Sequence, residues 1–547
     1  MRLYTKAKPL PAIVIMVIIN MLMMPALLDA QNTAPVIRYV YFDQKDIFHE
    51  DDKDWFFAAP VANAIHTVTK PYILEDELLF EEGDELDTVR LLEAERNLRR
   101  TGLFSTVKIT AEPVGTDSVD ITVHTQDSWS LKPALLIGTG GGISNLGFKL
   151  EEANLAGTAT LLSGYGLYRT ENDIGWEGML EVYQRRLFRT EVSVKAALRA
   201  NQYRTDQFLS FAKLYRTMAT SWAFEVAGSN TFGRDFAYQP DTTILLPFHD
   251  RSVGGWISQS YGEDDRLFVS ASANLNSVQR TVAESRQAFD NTGHVLVSFS
   301  SLRQEFGRSV FLNGYETEDL QEGGWGNATM GRIFSLGNGG ETMWYIAGVG
   351  EQSWMPTDEL YLFGQVGAGS GFAEGRAKYT YLEVNGLGHW RPSQHIVVAA
   401  RLRTQTAWNW AAFRQLILDF ESGLRGYDAN VLAGDNRAVA NAELRWFPGW
   451  RWWVIGFSGA LFYDVGTVWN QGQSIGSTRY HHAIGLGFRV HNLKASGPDA
   501  IFRIDFAYNL DDNRFAGLIF TTNQLFSAFF NHRYRSPDVL GSSIDLR

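Results

Sequence analysis

Residues 502–509 read Phe-Arg-Ile-Asp-Phe-Ala-Tyr-Asn, with Phe502, Ile504, Phe506 and Tyr508 separated by Arg503, Asp505, Ala507 and Asn509. Successive side chains of a strand point to opposite faces, so this stretch has one oily face and one polar face. The same period returns in Ile484, Leu486, Phe488 and Val490 against Gly485, Gly487 and Arg489. It also returns in Ile396, Val398, Ala400 and Leu402 against Arg401, Arg403 and Gln405, and in Ile455, Phe457, Leu461 and Tyr463 against Ser458, Ala460 and Asp464. In a soluble sandwich the oily face meets a second sheet, whereas in a membrane barrel it meets lipid and the charges line the lumen.

Three features favour the barrel. The chain is rich in glycine (51) and aromatics (16 Trp, 21 Tyr, 35 Phe) among 547 residues. Aromatics gather at the ends of runs, at Trp446, Phe447, Trp450, Trp452, Trp453 and Trp469, where interfacial girdles lie. The third feature is a secretory leader. Arg2, Lys6 and Lys8 precede an apolar stretch from Ala12 to Leu28, and Ala30 suits cleavage, so residues 1–30 read as a signal peptide, the alternative being an uncleaved anchor helix. A secreted multi-domain β protein is the competing architecture. Between 16 and 20 candidate runs lie in residues 130–527, and 16 antiparallel strands is the expected number for a closed transmembrane barrel. With no Cys in the chain, disulfides, thiolate metal sites and thiol nucleophiles are excluded.

Charge divides the mature chain. Residues 35–127 hold 20 acids and 9 bases, whereas residues 128–547 hold 40 acids and 37 bases. A small acidic domain thus precedes a large, nearly neutral one, and no basic patch recommends nucleic acid. In the small domain, Val36 to Phe42 reads as a strand, and Val61, Ala64, Ile65 and Val68 behind Pro60 read as a helix. Leu91, Ala94 and Leu98 share the face of a second helix, capped by Asp87 and ended at Gly102. Alternation at Val107, Ile109 and Ala111, then at Val119, Ile121 and Val123, predicts two strands. The acids Glu81, Glu82, Asp84 and Glu85 read first as a solvated turn and second as a metal site.

This order of elements, with the Glu82-Gly83-Asp84 turn and Gly102-Leu103-Phe104 leading through Val107, resembles a POTRA domain, the periplasmic module of polypeptide-transporting outer-membrane proteins. Its sheet edge can pair with an extended segment; the alternative is a spacer. Further motifs resemble the BamA/TamA superfamily of outer-membrane assembly and translocation factors. They are Leu424-Arg425-Gly426-Tyr427, Asn441-Ala442-Glu443-Leu444-Arg445 and Phe462-Tyr463-Asp464-Val465-Gly466, with Trp129 and the stretch from Leu150 to Gly157 at the barrel's opening. The resemblance implies that Arg425 latches an inward-folded loop to Asp464 and Glu443. On parity Glu443 and Asp464 both point inward, opposite Leu444 and Tyr463. The alternative leaves Arg425 solvated and pairs the two acids with Arg445 or Arg437. The resemblance also implies a seam between Leu131–Gly138 and Arg514–Phe526, where Gly138, Gly140, Gly141, Gly142 and Gly517 offer side-chain-poor pairing.

The organisation expected is therefore a signal peptide (1–30), a POTRA-like periplasmic domain (35–127), an outer-membrane barrel (130–527) and a C-terminal extension (528–547) in a Gram-negative bacterium. The implied function is insertion or translocation of polypeptides, with no enzymatic activity, cofactor or metal. Outer-membrane lipid, unfolded clients and periplasmic accessory proteins are the implied partners. A passive pore or surface antigen is the alternative, because a shared barrel does not prove shared transport. A hydrolase ranks third: G-x-S-x-G, H-E-x-x-H and phosphate-loop motifs are all missing, and His481 and His482 point to opposite faces. Only one POTRA-like segment fits before Trp129, and the chain continues past Phe526 to Arg547, two departures from the family pattern.

Overall fold

The computed structural model describes residues 34–47 and 66–545, apart from 217–219, 240–241, 263–264, 311–316, 338, 453–454, 494–500, 523–524, 527–531 and 543–544. The leader and the Val61, Ala64 and Ile65 portion of the first expected helix lie outside the described residues. Two compact units divide the chain: residues up to 45 with 77–126, and 46–76 with 127 onward.

In the first unit a three-stranded sheet carries one helix. Val36–Lys45 runs parallel to Ser118–Asp127, which lies between it and Phe104–Val114. The helix Thr88–Arg100 starts where the Asp87 carboxylate accepts from the Val89 and Arg90 amides, and it buries Leu91, Ala94 and Leu98. Ile37, Val107, Ile109, Val119, Ile121 and Val123 supply the sheet's side of the core. The acidic turn serves the backbone: Glu82 accepts from the Val40 amide at 3.0 Å and Asp84 from the Glu81 amide at 3.0 Å.

In the second unit Val68 is part of a non-helical segment that leads into the short helix Pro71–Glu75. The Asp127 carboxylate accepts from the amide (2.8 Å) and hydroxyl (2.9 Å) of Thr69, and the Lys70 amide donates to Gly157 O at 2.9 Å. Gly157 is at φ +70°, and a Cβ there would lie 2.5 Å from Val68 O, so only glycine suits this approach.

The remainder is a closed antiparallel barrel running from Leu131–Gly140 to Arg514–Thr522. Its wall has 20 strands among the described residues, correcting the expected 16; the two-residue piece Arg451–Trp452 only extends the hairpin partner of Ile455–Trp469. The discrepancy has a physical origin. Strands between Leu131 and Lys213 are only 8 to 10 residues long, whereas those between Trp222 and Trp408 have 13 to 20. A short strand offers few oily positions, so adjacent short strands merge into one weak pattern.

Leu135, Phe148, Leu180, Ile257, Leu267, Phe299, Ile346, Leu402, Leu486 and Phe506 are exposed on the outer face, which forms the apolar belt. The strands follow one another around a complete ring, as lipid requires, with the first and last meeting at its thinnest pairing. Trp446, Trp450 and Trp452 are exposed as a girdle would be, but Phe447 and Trp469 are buried; Trp453 lies outside the described residues. Inward-facing polar residues, including Ser270, Ser298, Gln321, Glu351 and Arg489, are also buried. Their cover comes from two segments inside the lumen: the 409–435 connection, and the chain beyond the last strand.

Candidate functional site

The 409–435 segment joins Ile396–Trp408 to Asn436–Trp446 at the end of the barrel remote from where the chain enters it. It folds inward instead of outward. A small hairpin, Leu416–Leu418 with Leu432–Gly434, braces its base. Asp419 then shapes the tip: its Oδ1 accepts from the Glu421 (3.1 Å) and Ser422 (3.2 Å) amides. Gly466 gives this fold room, because a Cβ there would sit 2.8 Å from Leu418 Cδ2 and 3.0 Å from Ala438 O. Gly426, at φ +105°, would bring a Cβ to 2.9 Å from that of Ala483.

Arg425 is the centre of the site and is wholly buried, as are its partners. Its Nε donates to Asp464 Oδ2 and its Nη2 to Asp464 Oδ1, both at 2.8 Å, and its backbone amide donates to Oδ2 at 3.2 Å. Nη1 donates to Glu443 Oε1 at 2.6 Å and to Asp505 Oδ2 at 3.4 Å. The flat guanidinium lies 3.5 Å over the Phe462 ring, combining a fork for carboxylates with a stacking face. Asn441 completes the tie by donating to Asp464 Oδ1 and Gly423 O, each at 2.6 Å. Three carboxylates therefore surround one loop cation, and Arg445 and Arg489 balance the rest through Glu443 (2.9 Å) and Asp505 (2.6 Å). Arg437 is turned elsewhere, to Asp545 at 2.8 Å.

Residues after Arg425 reach the junction of the first and last strands. Tyr427 Oη donates to Asp511 at 2.8 Å in the turn before the last strand. Asp428 accepts from Arg514 of the last strand at 3.0 Å, and the Ala429 amide donates to Gly141 O, just past the first strand, at 2.8 Å. The wall itself is weakest at this junction. Leu131–Gly140 pairs with the second strand along its whole length, whereas its one ladder pair with Arg514–Thr522 among the described residues is Phe520↔Thr139. Gly138 lies beside this contact; a Cβ on it would be 3.7 Å from Phe520 O. Gly140 serves the loop, since a Cβ would be 2.7 Å from the Phe420 ring, and Gly517 sits at φ +111° beside the bulge at Ala507 and Tyr508.

Asp505, Phe462 and Asp419 were not among the expected site residues. Parity places Asp505 inward on the 502–509 stretch. Phe462 breaks the rule that apolar side chains face lipid, and its place is intelligible only beneath the guanidinium.

Residues 326–525 match the model of the Omp85 superfamily domain. Residues 66–126 match the POTRA model, described as a surface antigen variable number repeat. No curated protein matches the chain. Among solved structures, BamA from Haemophilus ducreyi lacking POTRA domains 1-3 is 13% identical, with 88% of this chain and 83% of that one covered at a TM-score of 0.41. CdiB from Acinetobacter baumannii is 12% identical over 89% and 73%, TM-score 0.42. CdiB from Escherichia coli is 11% identical over 89% and 76%, TM-score 0.43. The chain thus carries an Omp85 superfamily domain and a POTRA domain, the make-up of a Gram-negative outer-membrane barrel whose POTRA domain stands in the periplasm.

Proposed function

We propose that the protein inserts or passes polypeptides at the outer membrane, using the seam between Leu131–Gly140 and Arg514–Thr522. The observation that carries this reading is the single residue pair, Phe520↔Thr139, closing an otherwise fully laddered wall. Parting it exposes two strand edges whose amides and carbonyls can pair with an extended client by main-chain hydrogen bonds, with little demand on client sequence. Because the chain enters the barrel from the periplasm, the 409–435 loop descends from the outer surface, and its Tyr427–Ala429 stretch clasps both sides of the seam at that end. Arg425 anchors the clasp in the lumen. The POTRA domain is the natural station for clients or periplasmic accessory proteins.

Reconstitution in liposomes tests the reading. An unfolded barrel substrate should gain protease protection in vesicles that contain the protein and in none that lack it. Leakage of small solutes without protection of the client would instead identify a passive pore.

A further inference from the structure

We infer that the inner wall of the barrel carries a binding track for an extended polypeptide, and that the chain's own C-terminal tail occupies it. The tail returns through the lumen after the last strand. His532 Nε2 is 2.6 Å from Ser353 Oγ, and eight residues later the Leu540 amide donates to Tyr345 Oη at 2.8 Å. Ser353 and Tyr345 are themselves eight residues apart on the strand Met343–Thr357, so tail and wall advance residue for residue, as two extended chains do. The tail then reaches the base of the loop, where Asp545 accepts from the Ile417 amide (3.0 Å) and pairs with Arg437 (2.8 Å).

What marks a track, as opposed to casual packing, is that side chains of the wall and of the 409–435 loop address the tail's main chain. The Gln321 amide does so twice: its Oε1 accepts from His532 N at 2.6 Å and its Nε2 donates to His532 O at 3.3 Å. Ser272 Oγ donates to Pro537 O (2.9 Å), Arg414 Nη1 to Gly541 O (2.7 Å) and Gln415 Nε2 to Asp545 O (2.9 Å). Contacts of this kind read an extended backbone whatever its sequence. Besides the Asp545 carboxylate, side chains of the described tail residues are read at three further places. Glu351 takes His532 Nδ1 at 2.9 Å and both its oxygens accept from Arg535. Tyr534 packs among Phe268, Trp325 and Trp256 and donates to Ser270 at 2.9 Å. Val539 enters an apolar cluster with Leu296, Ile333 and Tyr345. The ligand class is therefore an extended peptide presenting a basic or imidazole side chain, an aromatic close behind it, and an aliphatic further on. While the tail fills the track it obstructs the lumen; an incoming segment of that pattern would displace it. The site stands without the transport reading; only the identity of the displacing segment as a client rests on that reading.

The test is conductance in planar bilayers with the full chain, the full-length double variant Gln321→Ala/Glu351→Gln, and a chain ending at residue 531 whose folding is checked by heat-modifiable gel migration. The parent should be closed and both variants should conduct. A synthetic peptide of residues 532–547 should close the shortened channel, and its Tyr534→Ala version should need at least about tenfold more, as loss of a buried aromatic anchor does. A folded shortened protein that conducts no more than the parent, or that the peptide fails to close, overturns the proposal. If shortening prevents folding, the full-length double variant decides: a raised conductance with the tail newly open to added protease supports the track, and parent-like closure with a protected tail removes it. A channel that opens and rebinds the peptide but protects no client in liposomes leaves the track in place and removes the transport reading alone.

Discussion

Asp428 and Ala429, neighbours in the chain, hold opposite sides of the seam: Asp428 accepts from Arg514 on the last strand, and the Ala429 amide donates to Gly141 beside the first. The Asp428–Arg514 pair is well exposed and is worth at most about 1 kcal/mol. The strength of the clasp must come from what fixes the loop, and Arg425 lies three residues away in a wholly buried site.

Arg425→Ala leaves Glu443, Asp464 and Asp505 buried around a missing cation, which typically costs about 3–5 kcal/mol when one partner of a buried pair is removed. The loop should become sensitive to protease at 421–437 and client insertion should fall, while the barrel still migrates as a folded species. Asp464→Asn should reproduce much of the defect, and the double variant should be less than additive because both changes break one contact. Full additivity, or an Arg425→Ala protein indistinguishable from the parent, would mean that the loop is held by other means.

Gly485→Ala tests the stacking face without touching a charge. A Cβ at Gly485 would lie 2.3 Å from Phe462 Cζ and 2.3 Å from Phe506 O, so the ring beneath Arg425 must shift. Overpacking of this kind costs about 1–3 kcal/mol. Loop proteolysis should rise by less than in Arg425→Ala; an unchanged loop would show that the ring contributes nothing to the latch.

Alternation makes the barrel legible in sequence, because the oily positions of 484–490 and 502–508 must all face one way. Parity likewise puts Glu443 and Asp464 on the lumen side. It does not reach Phe462, an apolar side chain that faces inward because a cation covers it, nor the glycines at 140 and 466, whose partners Phe420 and Leu418 are remote in the chain. The strand number was obscured by the brevity of the spans between Leu131 and Lys213. The tail was illegible for a related reason: His532, Arg535 and Asp545 look like a polar extension until their partners at Gln321, Glu351 and Arg437, more than 100 residues away, are brought to them by closure of the barrel.

In the POTRA domain the Arg38 guanidinium donates to both oxygens of Asp120 across the parallel strand pair, Nε at 2.8 Å and Nη2 at 2.5 Å, and this holds the Asp120 carboxyl below the ordinary aspartate value of roughly 3.9. A carboxyl depressed in the folded state contributes stability above the unfolded value and loses it as pH falls through the folded one. The tie should thus be constant from neutral pH down to about 5 and fail only below about 4. Carbon NMR titration of the Asp120 carboxyl should show its midpoint below that of free aspartate, returning to the ordinary value in Arg38→Ala. An ordinary midpoint in the parent would show that the pair does not persist in solution.

The seam offers the most direct test, because the chain has no native cysteine to interfere. Thr139 and Phe520 face each other as an antiparallel pair. Such pairs place Cα atoms about 4.5–5.5 Å apart, within the roughly 4.4–6.8 Å that a disulfide spans. Thr139→Cys/Phe520→Cys should therefore close under oxidation without moving the backbone, and it would lock the one ladder pair recorded between the first and last strands. If clients pass by pairing with the parted edges, the oxidised protein should protect no substrate in liposomes and should recover on reduction, whereas each single cysteine variant should work throughout. Parting the strands is a mechanical requirement of this path, so the effect should approach complete loss instead of a graded one. An oxidised, fully cross-linked barrel that still inserts its substrate at the parental rate would place the path elsewhere, and the lumen, with its displaceable tail, would be the remaining route.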